Sequence, residues 1–158
     1  AMTGLSNRRS GMLRLAPLQA EAAASGQPLT IGFLDVGHFK SINDTYGHDI
    51  GDQVLVAVSR VLAESVRSID DAARMGGEEF MLLLPGVDSE AALARMEAIR
   101  ERLTQIQLRA AAPGLNVTAS IGVAQWGRQD NDAVSLLRRA DQAMYTAKQA
   151  GRNRVHLA

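Results

Sequence analysis

The chain has 158 residues, and its 17 lysines plus arginines balance 17 aspartates plus glutamates, so the formal net charge is zero. That balance argues against a broad basic surface for nucleic acid and against an acidic solvating tail. There is no cysteine, which excludes disulfides, thiolate catalysis and cysteine metal sites, and no apolar run approaches the roughly 20 residues of a membrane span.

This length predicts one domain over residues 1–158. An initial Ala rather than Met leads to the expectation of a piece cut from a longer protein. In chain order, a first helix is expected over about Arg8 to Ala24, with Pro17 as an interior misfit, ended by Ser25-Gly26-Gln27-Pro28. Leu29 to Val36 reads as an apolar strand, and His38 to Tyr46 as a short helix. Gly47 and Gly51 read as a turn, with Asp52 as N-cap of a helix from Gln53 to about Ser68. Ala72 to Met75 and Phe80 to Leu84 read as strands around Gly76-Gly77-Glu78-Glu79, whose glycines are expected to supply positive φ angles. A helix from Ser89 to about Gln107 follows. Ala110 to Ala112 then approach a turn at Pro113-Gly114. A strand over Asn116 to Gln125, a helix over Asp132 to Gln149 and a short strand over Arg154 to Leu157 complete the chain. Without the extra helices the order is that of the split βαβ, ferredoxin-like arrangement, an α+β fold with a central antiparallel sheet. In it the third strand lies between the first two, so Asp35 is expected beside the turn carrying Glu78 and Glu79.

These three carboxylates at one sheet end repel each other unless a divalent cation lies among them, and oxygen-only ligands suit Mg²⁺ that is shared with substrate phosphates. The plain alternative is an exposed hairpin of solvated acids. Lys148 and Arg152, four apart at a helix end, share a face that could hold phosphates, or they simply complement the helix dipole. Lys40 sits five residues beyond Asp35. Asn43 and Asp52 have the donors and acceptors to read a base edge, or serve as a turn former and a cap. His38 and His48 lack further zinc ligands. Arg67 and Asp70 form either an i,i+3 ion pair or a ligand-facing pair.

Together these residues resemble the GGDEF domain, the catalytic domain of diguanylate cyclases. The namesake motif appears as Arg74-Met75-Gly76-Gly77-Glu78-Glu79-Phe80, its Glu variant. Further blocks agree in order and spacing: Met2 to Arg9, Phe39 to His48 with Gly51-Asp52, Thr118 to Ala124, and Ala140 to Tyr145 followed by Ala147-Lys148 and Gly151-Arg152-Asn153. The resemblance implies a palm-type fold similar to class III nucleotidyl cyclase catalytic domains. It implies condensation of two GTP into cyclic di-GMP with release of two pyrophosphates, between two such domains facing each other. By the same resemblance Asp35, Glu79 and the Val36 carbonyl are metal ligands for Mg²⁺ or Mn²⁺, and Glu78 is a further ligand or base. Asn43 and Asp52 read guanine, and Lys40, Lys148 and Arg152 hold phosphates, helped by the Phe39 and Lys40 amides. Arg67-Ser68-Ile69-Asp70 matches the RxxD motif that binds cyclic di-GMP as an inhibitor. Arg95 and Arg100 are near, but neither is assigned as its second arginine. An upstream regulatory domain as partner and a cytoplasmic placement, in a parent that a membrane anchor could hold, are further expectations.

Two departures stand out. Asp35-Val36-Gly37 replaces the usual Asp-x-Asp, and the opening block lacks its leading Asp. Gly37 keeps open a second reading, an impaired domain that binds GTP or cyclic di-GMP and signals through partners. An RNA-binding ferredoxin-like domain finds little support, because Phe39, Phe80 and Trp126 form no aromatic platform.

Overall fold

Apolar residues in the strands fill both faces of the sheet, so helices must cover both. The computed structural model describes residues 5–108 and 112–158. Met2, Thr3 and Gly4 of the opening block, and Ala110 and Ala111, lie outside the described residues.

The elements run α1 (Arg8–Ser25), β1 (Leu29–Val36), α2 (Phe39–Tyr46), α3 (His48–Glu64), β2 (Asp71–Arg74), β3 (Glu79–Pro85), α4 (Ser89–Thr104), β4 (Ala119–Gln125), α5 (Ala133–Gln149) and β5 (Arg154–Leu157). The sheet order is β2-β3-β1-β4-β5. Strand β3 lies antiparallel between β2 and β1, as the ferredoxin-like reading requires, and β5 runs parallel to β4.

Strand alternation sorts the core into two layers. Leu34, Val36, Phe80, Leu82, Leu84, Ile121 and Val123 pack with α3 and α4 through Val54, Leu55, Val58, Leu62, Met96 and Ile99. Leu29, Ile31, Phe33, Met81 and Leu83 pack with α1 and α5 through Leu15, Ala22, Leu136, Ala140 and Met144. All eight residues of β1 are buried because it is the central strand with a layer on each side.

Several expectations shift. Helix α1 runs through Pro17 to Gly26, whose φ of 75° forms a left-handed C-cap. The proline costs the Leu13 carbonyl its helical donor, and Leu13 is exposed, so water can serve instead. Helix α3 starts at His48 with Gly47 at its N-cap position, leaving Gly51 and Asp52 inside the helix. Asp52 is therefore not an N-cap; the break came one turn earlier, where Gly47 takes a φ of 93°. Helices α3 and α4 end at Glu64 and Thr104, short of Ser68 and Gln107, and β4 begins at Ala119 rather than Asn116.

Candidate functional site

The register of β1 between β3 and β4 creates a row of polar residues across the end of the sheet. Asp35 pairs with Glu79 on one side and with Ser120 on the other. In each strand these residues share the parity of those facing α1 and α5, so all three point to the same layer. Asp35 is buried in this row, and Lys148 near the end of α5 donates from Nζ to its Oδ2 at 2.9 Å. The Ser120 hydroxyl is buried with no hydrogen-bond partner among the described residues.

Glu79 is half-buried, and its carboxylate makes no hydrogen bond or ion pair among the described residues. Burial pushes its pKa above the usual carboxylate range, and Asp35, Asp141 and Glu78 push it further; Lys148 only partly offsets them. The site is thus short of positive charge at the outer end of β3. Glu78 follows the glycine turn and accepts the Val36 N–H at its carbonyl, 3.1 Å, which fastens the turn to the end of β1.

The turn itself differs from expectation. Neither Gly76 nor Gly77 has a positive φ. Its shape comes from the Met75 N–H bonded to the Glu79 carbonyl at 2.7 Å, and from Arg74, which donates to the carbonyls of Gly76 at 3.1 Å and Gly77 at 2.7 Å. A Cβ on Gly77 would meet nothing within 4 Å. Nothing in the domain's own packing demands glycine there, so the bare turn leaves clearance for an approaching molecule.

Asn43 and Asp52 come from α2 and α3 in the layer of the α3 core. A Cβ on Gly51 would lie 1.8 Å from Asn43 Oδ1 and 3.3 Å from the Phe39 ring. Asn43 and Phe39 therefore pack against the backbone immediately before Asp52. The Asn43 oxygen is buried without a partner among the described residues, whereas Asp52 is exposed. Lys40 is exposed on the first turn of α2. Gly37 donates its N–H to the Thr118 carbonyl at 2.8 Å, and a Cβ on it would lie 2.3 Å from Thr118 Oγ1. The space of the missing Asp is thus taken by the Thr118 hydroxyl.

Arg152 follows the last helix, four residues beyond Lys148. It and Asn153 both adopt left-handed backbone, with φ of 62° and 43°, a conformation that costs roughly 1–2 kcal/mol for a residue with a Cβ. The Arg152 N–H caps α5 at the Ala147 carbonyl, 3.0 Å.

The Arg67–Asp70 pair lies at the opposite end of the sheet, in the turn between α3 and β2. Arg67 holds the Asp70 carboxylate in a bidentate grip, 3.1 Å from Nε and 2.7 Å from Nη2, and Nη2 also donates to the Pro85 carbonyl. Arg95 of α4 donates to the same carboxylate at 2.9 Å. Burial alone would raise the Asp70 pKa, but hydrogen bonds from the Arg67 side chain and backbone and the charges of Arg67 and Arg95 outweigh it and hold the carboxyl below its usual range. Arg95 was legible only as a neighbour; its place beside Asp70 needs the packing of α4 on the sheet.

Between α1, α5 and the glycine turn lies a cleft of about 320 Å³ lined by Arg8, Phe33, Met75, Glu79, Arg138 and Asp141. Arg8 and Asp141 entered no sequence-based candidate set as site residues, because separation along the chain hides their approach to Glu79. No helix among the described residues is long and apolar enough to cross a membrane.

A family model described as "Diguanylate cyclase, GGDEF domain" matches residues 1–154. The response regulator PleD of Caulobacter vibrioides is 42% identical over 156 residues, covering 98% of this chain and 34% of its own length. The GGDEF domain of DgcB from Caulobacter crescentus, solved in complex with c-di-GMP, superposes with a TM-score of 0.94 at 33% identity, over 99% of this chain and 90% of that one. The active GGEEF domain of a diguanylate cyclase from Vibrio cholerae gives a TM-score of 0.91 at 33% identity, over 97% of each chain. The chain spans about a third of the length of the curated relatives it first matches. A match along nearly the whole chain, on the same fold and with the Gly76-Gly77-Glu78-Glu79-Phe80 turn set beside Asp35, makes this chain a member of the GGDEF family of diguanylate cyclase domains.

Proposed function

We propose that residues 1–158 form one catalytic domain of a longer signalling protein, which condenses two GTP molecules into cyclic di-GMP and releases two pyrophosphates. The observation that carries this is the Asp35–Glu79 pair in register at the sheet end, with the Glu79 carboxylate unpartnered among the described residues and its pKa raised by burial first and then by the acids around it. Such a pair of oxygen donors fits a hard divalent cation such as Mg²⁺ or Mn²⁺ completed by phosphate oxygens. Asp35, Glu79 and the Val36 carbonyl would hold it, with Glu78 as a further ligand or as the base at the attacking 3′-hydroxyl. When bound, the metal neutralises phosphate charge and activates the nucleophile.

The chain's own residues bind and orient. Asn43 and Asp52 read the guanine edge, with Asn43 set by its contact on Gly51. Lys40 and Arg152, with the Phe39 and Lys40 amides, take the triphosphate, and Lys148 orients Asp35 while adding positive charge beside it. Phosphoryl transfer depends mainly on such positioning and charge neutralisation. One domain carries one base-reading set, so the second GTP arrives on a second copy of the domain, and an upstream regulatory domain brings the two together. The Arg67–Asp70 pair, with Arg95 as its second arginine, binds product and inhibits.

Incubating the domain at high concentration with GTP and Mg²⁺ or Mn²⁺ tests the reading, with Glu79→Ala as the inactive control. Failure to form cyclic di-GMP even under forced dimerisation would overturn it.

A second reading, a binding module with impaired catalysis, is favoured by Gly37 alone. Gly37→Asp separates the two. An active enzyme changes less than about tenfold in turnover, the equivalent of one modest hydrogen bond, since Thr118 Oγ1 must first rotate away. A far larger gain marks the native domain as crippled.

A further inference from the structure

Arg152 is placed by a three-residue reversal, Gly151-Arg152-Asn153, between α5 and β5. Two consecutive left-handed residues with side chains do not hold themselves there. Beyond the helix cap, two outside groups grip the reversal. Arg154 Nε donates to the Arg152 carbonyl at 3.1 Å. Arg100, reaching from α4 across 53 residues of sequence, donates from Nη1 to Asn153 Oδ1 at 3.0 Å. The remaining edge of the Arg100 fork is engaged by Glu97 one turn earlier, through Nε and Nη2, so the guanidinium is oriented before it meets Asn153. The Arg100 side chain is 16% exposed, so it is packed rather than waving in solvent.

We infer that Arg100 is a positioning residue for the triphosphate grip. It fixes Asn153, and through Asn153 the backbone that aims Arg152, without touching nucleotide itself. Glu97 serves as the brace that holds the Arg100 fork. The inference rests on the proposed role of Arg152 in holding phosphates and names a residue of α4 on which that role depends.

Calorimetric binding of GMP and of a non-cyclising GTP analogue (a methylene group bridging its α and β phosphates), with Mg²⁺ present, tests it. Arg100→Ala is expected to weaken the triphosphate analogue about tenfold, near the worth of one charge-assisted hydrogen bond, and GMP much less. Asn153→Gly keeps the left-handed backbone accessible but removes the acceptor, and produces the same selective loss. The double variant loses no more than either single one, because both break the same link. Equal loss for both nucleotides, fully additive losses, or unchanged affinity in Asn153→Gly overturns the inference, and that variant carries the test if Arg100→Ala fails to fold. If the unaltered domain binds neither guanine nucleotide, the proposed function falls, and this inference with it. Binding by the unaltered domain with no selective effect of the variants removes the inference alone.

Discussion

Asp70 concentrates the residue-scale physics at the distal site. Its side chain is fully buried, yet it stays charged because two guanidinium groups and the Arg67 backbone amide serve it. Its folded-state pKa lies below the unfolded value, so it stabilises the fold at pH values above the unfolded one. That contribution disappears as pH falls through the folded value. Asp70→Asn is therefore expected to cost about 2 kcal/mol at neutral pH, and the gap from the native domain should close in acid, below about pH 4; denaturant titrations across pH measure this. Arg67→Ala addresses function at the same place. It should raise the concentration of cyclic di-GMP needed for inhibition by about tenfold, the worth of one charge-assisted contact to the product, while initial turnover stays near native. An unchanged inhibition curve removes the motif from product binding.

Among elements, the seam between β4 and α5 decides whether the site is assembled. A Cβ on Gly122 would lie 2.1 Å from the Ala140 carbonyl oxygen and 2.2 Å from the Met144 amide nitrogen. These are backbone atoms of α5 and cannot swing aside. Gly122 thus lets the helix lie on the strand closely enough for Lys148, one turn beyond Met144, to reach Asp35. Gly122→Ala is expected to destabilise the domain by about 3 kcal/mol, the upper range of overpacking. It should also lower turnover in whatever fraction remains folded, since α5 carries Lys148 and leads into Arg152. Thermal melts paired with activity per folded molecule measure both effects; a native-like melting temperature would show that the seam has slack.

For the whole molecule, the two candidate sites occupy opposite ends of one sheet. The Asp35–Glu79 row closes the end where β1 finishes, and Asp70 precedes β2 at the other. Helix α4 contacts both ends, through Arg95 at Asp70 and Arg100 at Asn153. On the proposed mechanism, in which one copy binds one GTP, turnover per domain should rise roughly in proportion to protein concentration while the domain is mostly monomeric. It should flatten when two copies are fused through a dimerising coiled coil. Turnover per domain independent of dilution, with sedimentation showing monomers, would refute the two-copy mechanism.

The sequence by itself determined the strand β1, the order of the elements, and the carboxylates flanking one sheet end, because a continuous apolar run marks a central strand, helical spacing marks the helices, and the order of the elements sets which strand ends meet. The motif residues identified the family, since their spacing along the chain is its signature. Tertiary structure decided what depends on approach between distant segments. It sent the start of α3 back to Gly47, shaped the Gly76-Gly77 turn by Arg74 rather than by positive φ, and selected Arg95 as the second cation on Asp70. It also set Arg100 against Asn153. Local propensity carries no information about such pairings, because they form only when helices pack across the sheet and bring side chains far apart in sequence within hydrogen-bonding reach.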